Sequence, residues 1–268
     1  MSNSAFSTAT ELLSAMTLGE VTSLEVTEMF IERIERFDGD INAVVVRCFD
    51  DARRAAKAAD SARSRGEISG PLHGLPVTIK ESYHLAGTAT TWGVPAFAGN
   101  IVATDSETVA RLKAAGAHFL GKTNVPLALA DFQSYNDIYG TTGNPWDLGR
   151  TPGGSSGGAS AALAAGLTAL ESGSDIGGSI RNPAHYCGVY GHKPTWGIVS
   201  DLGHALPGSA APADIAVCGP LARSAEDLAL SLKLVAGPDR RTSRGWQLHL
   251  PEPQRSSLAD YRVAVWPQ

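Results

Sequence analysis

Between Leu72 and Gly121 the sequence alternates short apolar runs with a capped helical stretch, and this alternation restricts the fold more than any other feature. Leu75 to Lys80 is a mostly apolar run of strand type that ends in a lysine. Thr104 and Glu107 follow in capping-box spacing, before a helix expected to run to about Ala115 with Gly116 as its stop. Ala117 to Gly121 reads as the next strand. Strand, helix and strand in that order require a sheet with helices packed on it.

The flanking segments are helical and carry no evident chemistry. Capping boxes at Thr8 and Glu11 and at Thr22 and Glu25 open two helices. The second helix places Val26, Phe30, Ile34 and Phe37 on one face and charges on the other. Asp50 to Arg65 is an alanine-rich helix closed by Gly66. Past the centre, Ser224 and Asp227 cap a helix with Leu228, Leu232 and Val235, and Arg240 to Ser257 is polar loop. Tyr261 to Trp266 has the alternation of a strand beginning. No repeat or low-complexity linker divides the chain. One domain over residues 1–268 is expected, with a helical layer over about 1–70, a core over about 71–236 and a C-terminal part ending in that strand beginning.

Composition excludes several function classes. A formal net charge of -5 lacks the basic surface that non-specific nucleic-acid binding needs. No apolar run approaches a membrane span, and Met1 to Phe6 lack the pattern of a secretory signal, so a cytoplasmic protein is expected. Cys48, Cys187 and Cys218 are odd in number and show no paired spacing, which favours inert thiols in a reducing compartment over a disulfide or metal site. Neither a metal nor a cofactor is expected.

The chemistry concentrates in two glycine-serine stretches. Gly153 to Gly158 leads into Ala159 to Ala165, closed by Gly166, which makes a flexible turn feeding a helix N-terminus. It lacks the Gly-Lys-[Ser/Thr] ending of a phosphate loop. Farther on, Gly177 and Gly178 directly precede Ser179, which frees their amides to face an oxygen near the hydroxyl, as an oxyanion hole requires. A serine nucleophile also needs a base. His73, His84, His118, His185, His192, His204 and His249 form no Gly-x-Ser-x-Gly elbow arrangement with Ser179. Lys80 ends an apolar strand, where burial lowers its pKa and lets a neutral amine accept a proton. The plain alternative is a surface lysine at a strand end.

Three segments together resemble the amidase signature family. Gly74-Leu75-Pro76-Val77-Thr78-Ile79-Lys80 is similar to its lysine motif, and Gly153-Gly154-Ser155-Ser156-Gly157-Gly158 to its first serine motif. Gly173-Ser174-Asp175-Ile176-Gly177-Gly178-Ser179-Ile180-Arg181, continuing through Pro183-Ala184, Cys187-Gly188 and Gly191-His192-Lys193-Pro194-Thr195, is similar to its second. Lys122-Thr123-Asn124, Asn144-Pro145-Trp146 and Gly219-Pro220-Leu221-Ala222-Arg223 add support. Glu81 stands where family members usually carry aspartate.

The resemblance implies an α/β fold with a mixed β-sheet core sandwiched between helical layers. It implies hydrolysis of a carboxylic amide to acid plus ammonia or amine through a seryl acyl-enzyme. Ser179 would be the nucleophile, Ser155 the proton relay behind a cis peptide bond, and Lys80 the base. The backbone amides of Ile176, Gly177, Gly178 and Ser179 would hold the oxyanion, while Ser156, Asp175 and Arg181 are expected to be structural. The branch that serves tRNA-dependent amidation as a glutaminase usually carries Ser-Leu-Asp-Gln before the later Gly-Pro, where this chain has Ala211-Pro212-Ala213-Asp214-Ile215-Ala216-Val217. A stand-alone amidase on small, apolar or aryl amides is therefore the main expectation. Its partner would be a small-molecule amide, with no nucleic acid or membrane and with room for a homodimer. Family members normally continue past Gln268, so the alternative is an inactive fragment acting at most as an interaction module.

Overall fold

The computed structural model describes residues 4–209, 213–252 and 254–265. Helices α1 (Ala9–Leu18) and α2 (Ser23–Ile41) begin where their capping boxes place them. Thr8 Oγ1 accepts from Glu11 N–H at 3.1 Å while the Glu11 carboxylate accepts from Thr8 N–H at 2.8 Å, and Thr22 and Glu25 repeat the pair at the same distances. Val26, Phe30 and Ile34 are buried, but Phe37 is 39% exposed, beneath the guanidinium groups of Arg33 and Arg36. The inward position at that turn belongs to Asp38, four residues after Ile34. Its buried carboxylate accepts from Ala43 and Val44 N–H at 2.7 and 3.0 Å and so launches strand β1 (Val44–Arg47). β1 is absent from the sequence reading because four residues are too few to display a period.

Helix α3 (Phe49–Ser64) lies against α2 and covers the sheet. Strand β2 (Pro76–Lys80) precedes helix α4 (Glu107–Ala114), whose N-cap is Ser106 and not Thr104. Ser106 Oγ accepts from Val109 N–H, and the intervening Asp105 turns away to Ala86 N–H and Lys113. Strand β3 (His118–Thr123) runs parallel to β2, with Lys80 opposite Thr123, and antiparallel to β1. The order β1-β3-β2 is thus a mixed sheet. After a ribbon of β4 (Tyr135–Asn136) and β5 (Gly140–Thr141) comes helix α5 (Gly157–Ala164). Strand β6 (Leu170–Asp175), helix α6 (Arg181–Cys187), and strands β7 (Tyr190–Gly191) and β8 (Val217–Ala222) follow, and helix α7 (Ala225–Val235) packs on β8.

β6, β8 and β7 form a second, antiparallel sheet, and β6 lies beside β2 so that the two sheets adjoin. Helices cover them, α2 and α3 over β2 and β3, α5 and α7 over β6 and β8, which is the layered α/β arrangement expected. β6 and β8 are also missing from the sequence reading. Both are buried along their whole length, so neither alternates, and glycine, serine and Pro220 dilute their strand character.

Two polar anchors tie distant segments together. Arg223 donates to the carbonyls of Ser7, Leu163 and Thr168, joining the N-terminal segment to α5 and the entry of β6. The buried Asp227 carboxylate accepts from Ala9 and Thr10 N–H at 2.8 and 2.9 Å, at the start of α1. Cys48, Cys187 and Cys218 are free thiols. Among the described residues no helix is long and apolar enough to cross a membrane.

The strand expected over Tyr261–Trp266 does not form across Tyr261–Val265, and Trp266 lies outside the described residues. A single 3-10 turn, Leu258–Asp260, precedes that stretch, and Val263 and Val265 are about four-fifths exposed with no described strand beside them to pair with. Alternation alone cannot hold a strand without a neighbour to complete its hydrogen bonds.

Two glycines with opposite surroundings test the packing. A Cβ on Gly158 runs into the backbone of Asn124, whereas one on Gly39, in α2, meets nothing within 4 Å. Gly158→Ala is expected to lower stability by about 1–3 kcal/mol in urea unfolding. Gly39→Ala is expected to leave it unchanged or raise it by up to about 1 kcal/mol.

Candidate active site

Lys80 ends β2 in complete burial, where the two sheets adjoin. An ammonium there must find partners within the protein. Nζ donates to Ser155 Oγ at 2.7 Å, Ser156 Oγ at 3.0 Å and Ser174 Oγ at 3.0 Å, which matches its three N–H bonds. Burial lowers its pKa to about 7, partly offset by Cys218, Asp175 and Glu171. When Lys80 is neutral it has two N–H bonds and a lone pair, so one hydroxyl can turn its proton toward Nζ. Ser155 makes the shortest contact.

Ser155 and Ser156 sit in the turn that feeds α5, and the Gly154–Ser155 peptide is cis. The turn is held by Gly154 N–H on Asn182 Oδ1, Gly157 N–H on Ser134 Oγ, and Ser156 N–H on the Ser179 carbonyl at 3.1 Å. The last bond fixes the two serine turns to each other. Glycine is required at position 173 in β6, because a Cβ there would stand 2.6 Å from Ser156 Oγ.

The turn that carries Ser179, between β6 and α6, is organised by one carboxylate. Asp175 accepts from the N–H groups of Gly178, Ile180 and Arg181 at 2.8, 3.0 and 3.3 Å, and from Arg181 Nε and Nη2 at 3.0 and 2.9 Å. Burial would raise its pKa, but Arg181 and the three amides outweigh it and hold the carboxyl at about 2. Of the four amides expected around an oxyanion, that of Gly178 is therefore committed to Asp175. Those of Ile176, Gly177 and Ser179 have no acceptor among the described residues. Ser179 is 6% exposed and opens, with Ser155 and Ser174, onto a cavity of about 300 Å³. Lys80 is not on the cavity wall and meets it only through those hydroxyls.

The profile of the family described as Amidase matches residues 25–268. The chain belongs to the amidase signature family. It is 42% identical over 261 residues to a glutamyl-tRNA(Gln) amidotransferase chain of Moorella thermoacetica, covering 97% of this chain and 51% of that one. A bacterial aryl acylamidase of the amidase signature family superposes with a TM-score of 0.84 at 32% identity, over 91% of this chain and 50% of the other. A chain from a vestigial protein complex, tied to the origins of an s-triazine catabolic enzyme, superposes with a TM-score of 0.82 at 41% identity, over 87% and 50%. The chain spans about half the length of the curated relatives it matches.

Within this amidase-signature core, sequence reasoning passed over Ser174 as a polar partner of Lys80. The signal depends on β6, a strand the sequence did not display: a serine on a strand buried on both faces must find a hydrogen bond. Glu81 has a positioning part. Its buried carboxylate accepts from Thr91 and Trp92 N–H at 2.6 and 2.9 Å and from the Tyr139 hydroxyl, holding Trp92 in the cavity wall. His204 lines the cavity between Tyr83 and Trp92, bonded through Nε2 to Ser82 Oγ, and burial lowers its pKa to about 3. Among the described residues no histidine side chain hydrogen-bonds Ser155, Ser156 or Ser179.

The Asp175 hub makes a pH prediction. Its folded pKa lies below the ordinary 3.8, so the stability it contributes is present above that value and lost as pH falls toward about 2. Asp175→Asn is expected to be less stable than the wild type at neutral pH. Its stability should also fall less steeply between about pH 4 and pH 2, read by circular dichroism with urea at each pH.

Proposed function

We propose that the chain hydrolyses a carboxylic amide to its acid and ammonia or an amine through an acyl-enzyme on Ser179. The observation that carries this reading is a wholly buried lysine bonded to Ser155, which shares a cavity with Ser179. Neutral Lys80 accepts the Ser155 proton as Ser155 accepts that of Ser179, and Ser179 Oγ attacks the carbonyl carbon. Negative charge on the carbonyl oxygen is met by the free amides of Ile176, Gly177 and Ser179. The proton returns through Ser155 to the leaving nitrogen, the C–N bond breaks, and water repeats the sequence to release the acid and restore Ser179. Ser179 Oγ makes no hydrogen bond to Ser155 Oγ in this structure; such contacts commonly tighten only once substrate is seated.

The walls formed by Trp92, Leu129, Ile176 and Leu206 suit a small apolar or aryl group. A second reading has a specific observation behind it, since relatives above 40% identity are named as one of the subunits of a glutamyl-tRNA(Gln) amidotransferase. On that reading the amide is hydrolysed for its ammonia and a protein partner receives it. Ammonia release from glutamine exceeding that from aryl amides would favour the second reading, and the reverse the first.

A fluorophosphonate is expected to label Ser179, and Ser179→Ala to abolish labelling. The labelling rate should rise through about pH 7 to a plateau, because below that pH Lys80 holds the proton it must accept. Lys80→Met should slow labelling on the order of a hundred-fold or more, and Lys80→Arg should not restore it. Labelling at Ser156, or a pH profile untouched in Lys80→Met, would overturn the assignment.

A further inference from the structure

The cavity that holds Ser155 and Ser179 is apolar over most of its wall but carries two carboxylates, Asp175 and Asp201. Asp175 is saturated by Arg181 and three amides. The Asp201 side chain has no hydrogen bond and no ion pair among the described residues. After burial, which is the larger cause, Asp201 contributes to raising the thiol of Cys218, another wall residue, to about 12. Arg241 is held by Asp239 at 2.9 Å and makes no ion pair with Asp201 among the described residues.

The segment that presents Asp201 is built rather than loose. Ser200 Oγ bonds Asp239 and receives Leu202 N–H, and His204 N–H donates to the Asp201 carbonyl at 2.7 Å. Glu107 N–H and His84 N–H donate to the carbonyls of Leu202 and Gly203. The His204 ring, fixed between Tyr83 and Trp92, is neutral and brings no opposing charge.

We infer that Asp201 is a specificity residue, selecting amides that carry a cationic amino group a few carbons from the scissile bond. This rests on the reading of the cavity as the amide site. An ammonium on the substrate would supply the partner that the carboxylate lacks, in a partly desolvated space where a charge-assisted hydrogen bond is strong. The apolar walls would cover the connecting methylenes. Ser155 and Ser179 remain for the reaction, and among the described residues no lysine or arginine lines the cavity.

The test is binding, measured by isothermal titration calorimetry on Ser179→Ala so that no probe is consumed. One pair of probes is δ-aminovaleramide and hexanamide, which differ by an ammonium against a methyl group on the acyl side. The other is N-(aminobutyl)acetamide and N-pentylacetamide, which differ in the same way on the nitrogen side. At least one amine is expected to bind about ten-fold or more tighter than its methyl isostere. Asp201→Asn, made in the same background, is expected to erase that preference while leaving the isostere's affinity unchanged. Equal binding within both pairs, or a preference that survives Asp201→Asn, would overturn the inference. If Asp201→Asn does not fold, as judged by its melting transition, the comparison within each pair still decides. Fluorophosphonate labelling of otherwise wild-type protein separates the outcomes, since its failure would count against the serine assignment and not against Asp201.

Discussion

A lysine at the end of a strand, enclosed on every side, is unfavourable unless each of its N–H bonds finds an acceptor. Each acceptor lies on a stretch of chain other than β2. They come from the turn before α5, through Ser155 and Ser156, and from β6, through Ser174. Three separate stretches of chain therefore have to converge on one nitrogen. The close packing there follows from the same demand, since β6 can approach the serine turn only with glycine at position 173.

The site has a closed half and an open half. Lys80 is shut away from the cavity, which depresses its pKa, and it reaches solvent only through hydroxyls. Ser179 stands at the cavity edge on a turn shaped by Asp175, whose carboxylate takes one amide from the expected oxyanion cradle and leaves three. The Ser156 N–H bond to the Ser179 carbonyl locks the two halves in register. The part of the wall contributed by Asp201 and His204 belongs to neither serine turn.

Local signals were legible where the physics is local. The capping boxes at Thr8 and Thr22 work as read, because the groups that satisfy each other lie three residues apart. Legibility failed where a residue answered to a distant partner. Asp227 stands in capping-box spacing with Ser224, yet its carboxylate serves the start of α1. Asp38 displaces Phe37 from the buried stripe because it caps β1. β6 and β8 gave no period, being covered on both faces, and the stretch before Val265 gave one with no neighbouring strand among the described residues to pair with.

The sequence by itself determined the family and the residue types of the candidate site, because glycines and serines in those two long motifs carry a chemistry that hardly any other pattern needs. It also placed a lysine at the end of an apolar strand, and the structure showed that end to be buried. What only the tertiary structure decided is which hydroxyls that lysine meets, which amide Asp175 removes from the cradle, and that Asp201 faces the same cavity as Ser179. The first and the last of these join segments far apart in the chain, whereas the Asp175–Gly178 bond lies within one turn. A side chain's partner across a sheet or a cavity is set by how the elements pack, and no spacing within the sequence encodes it.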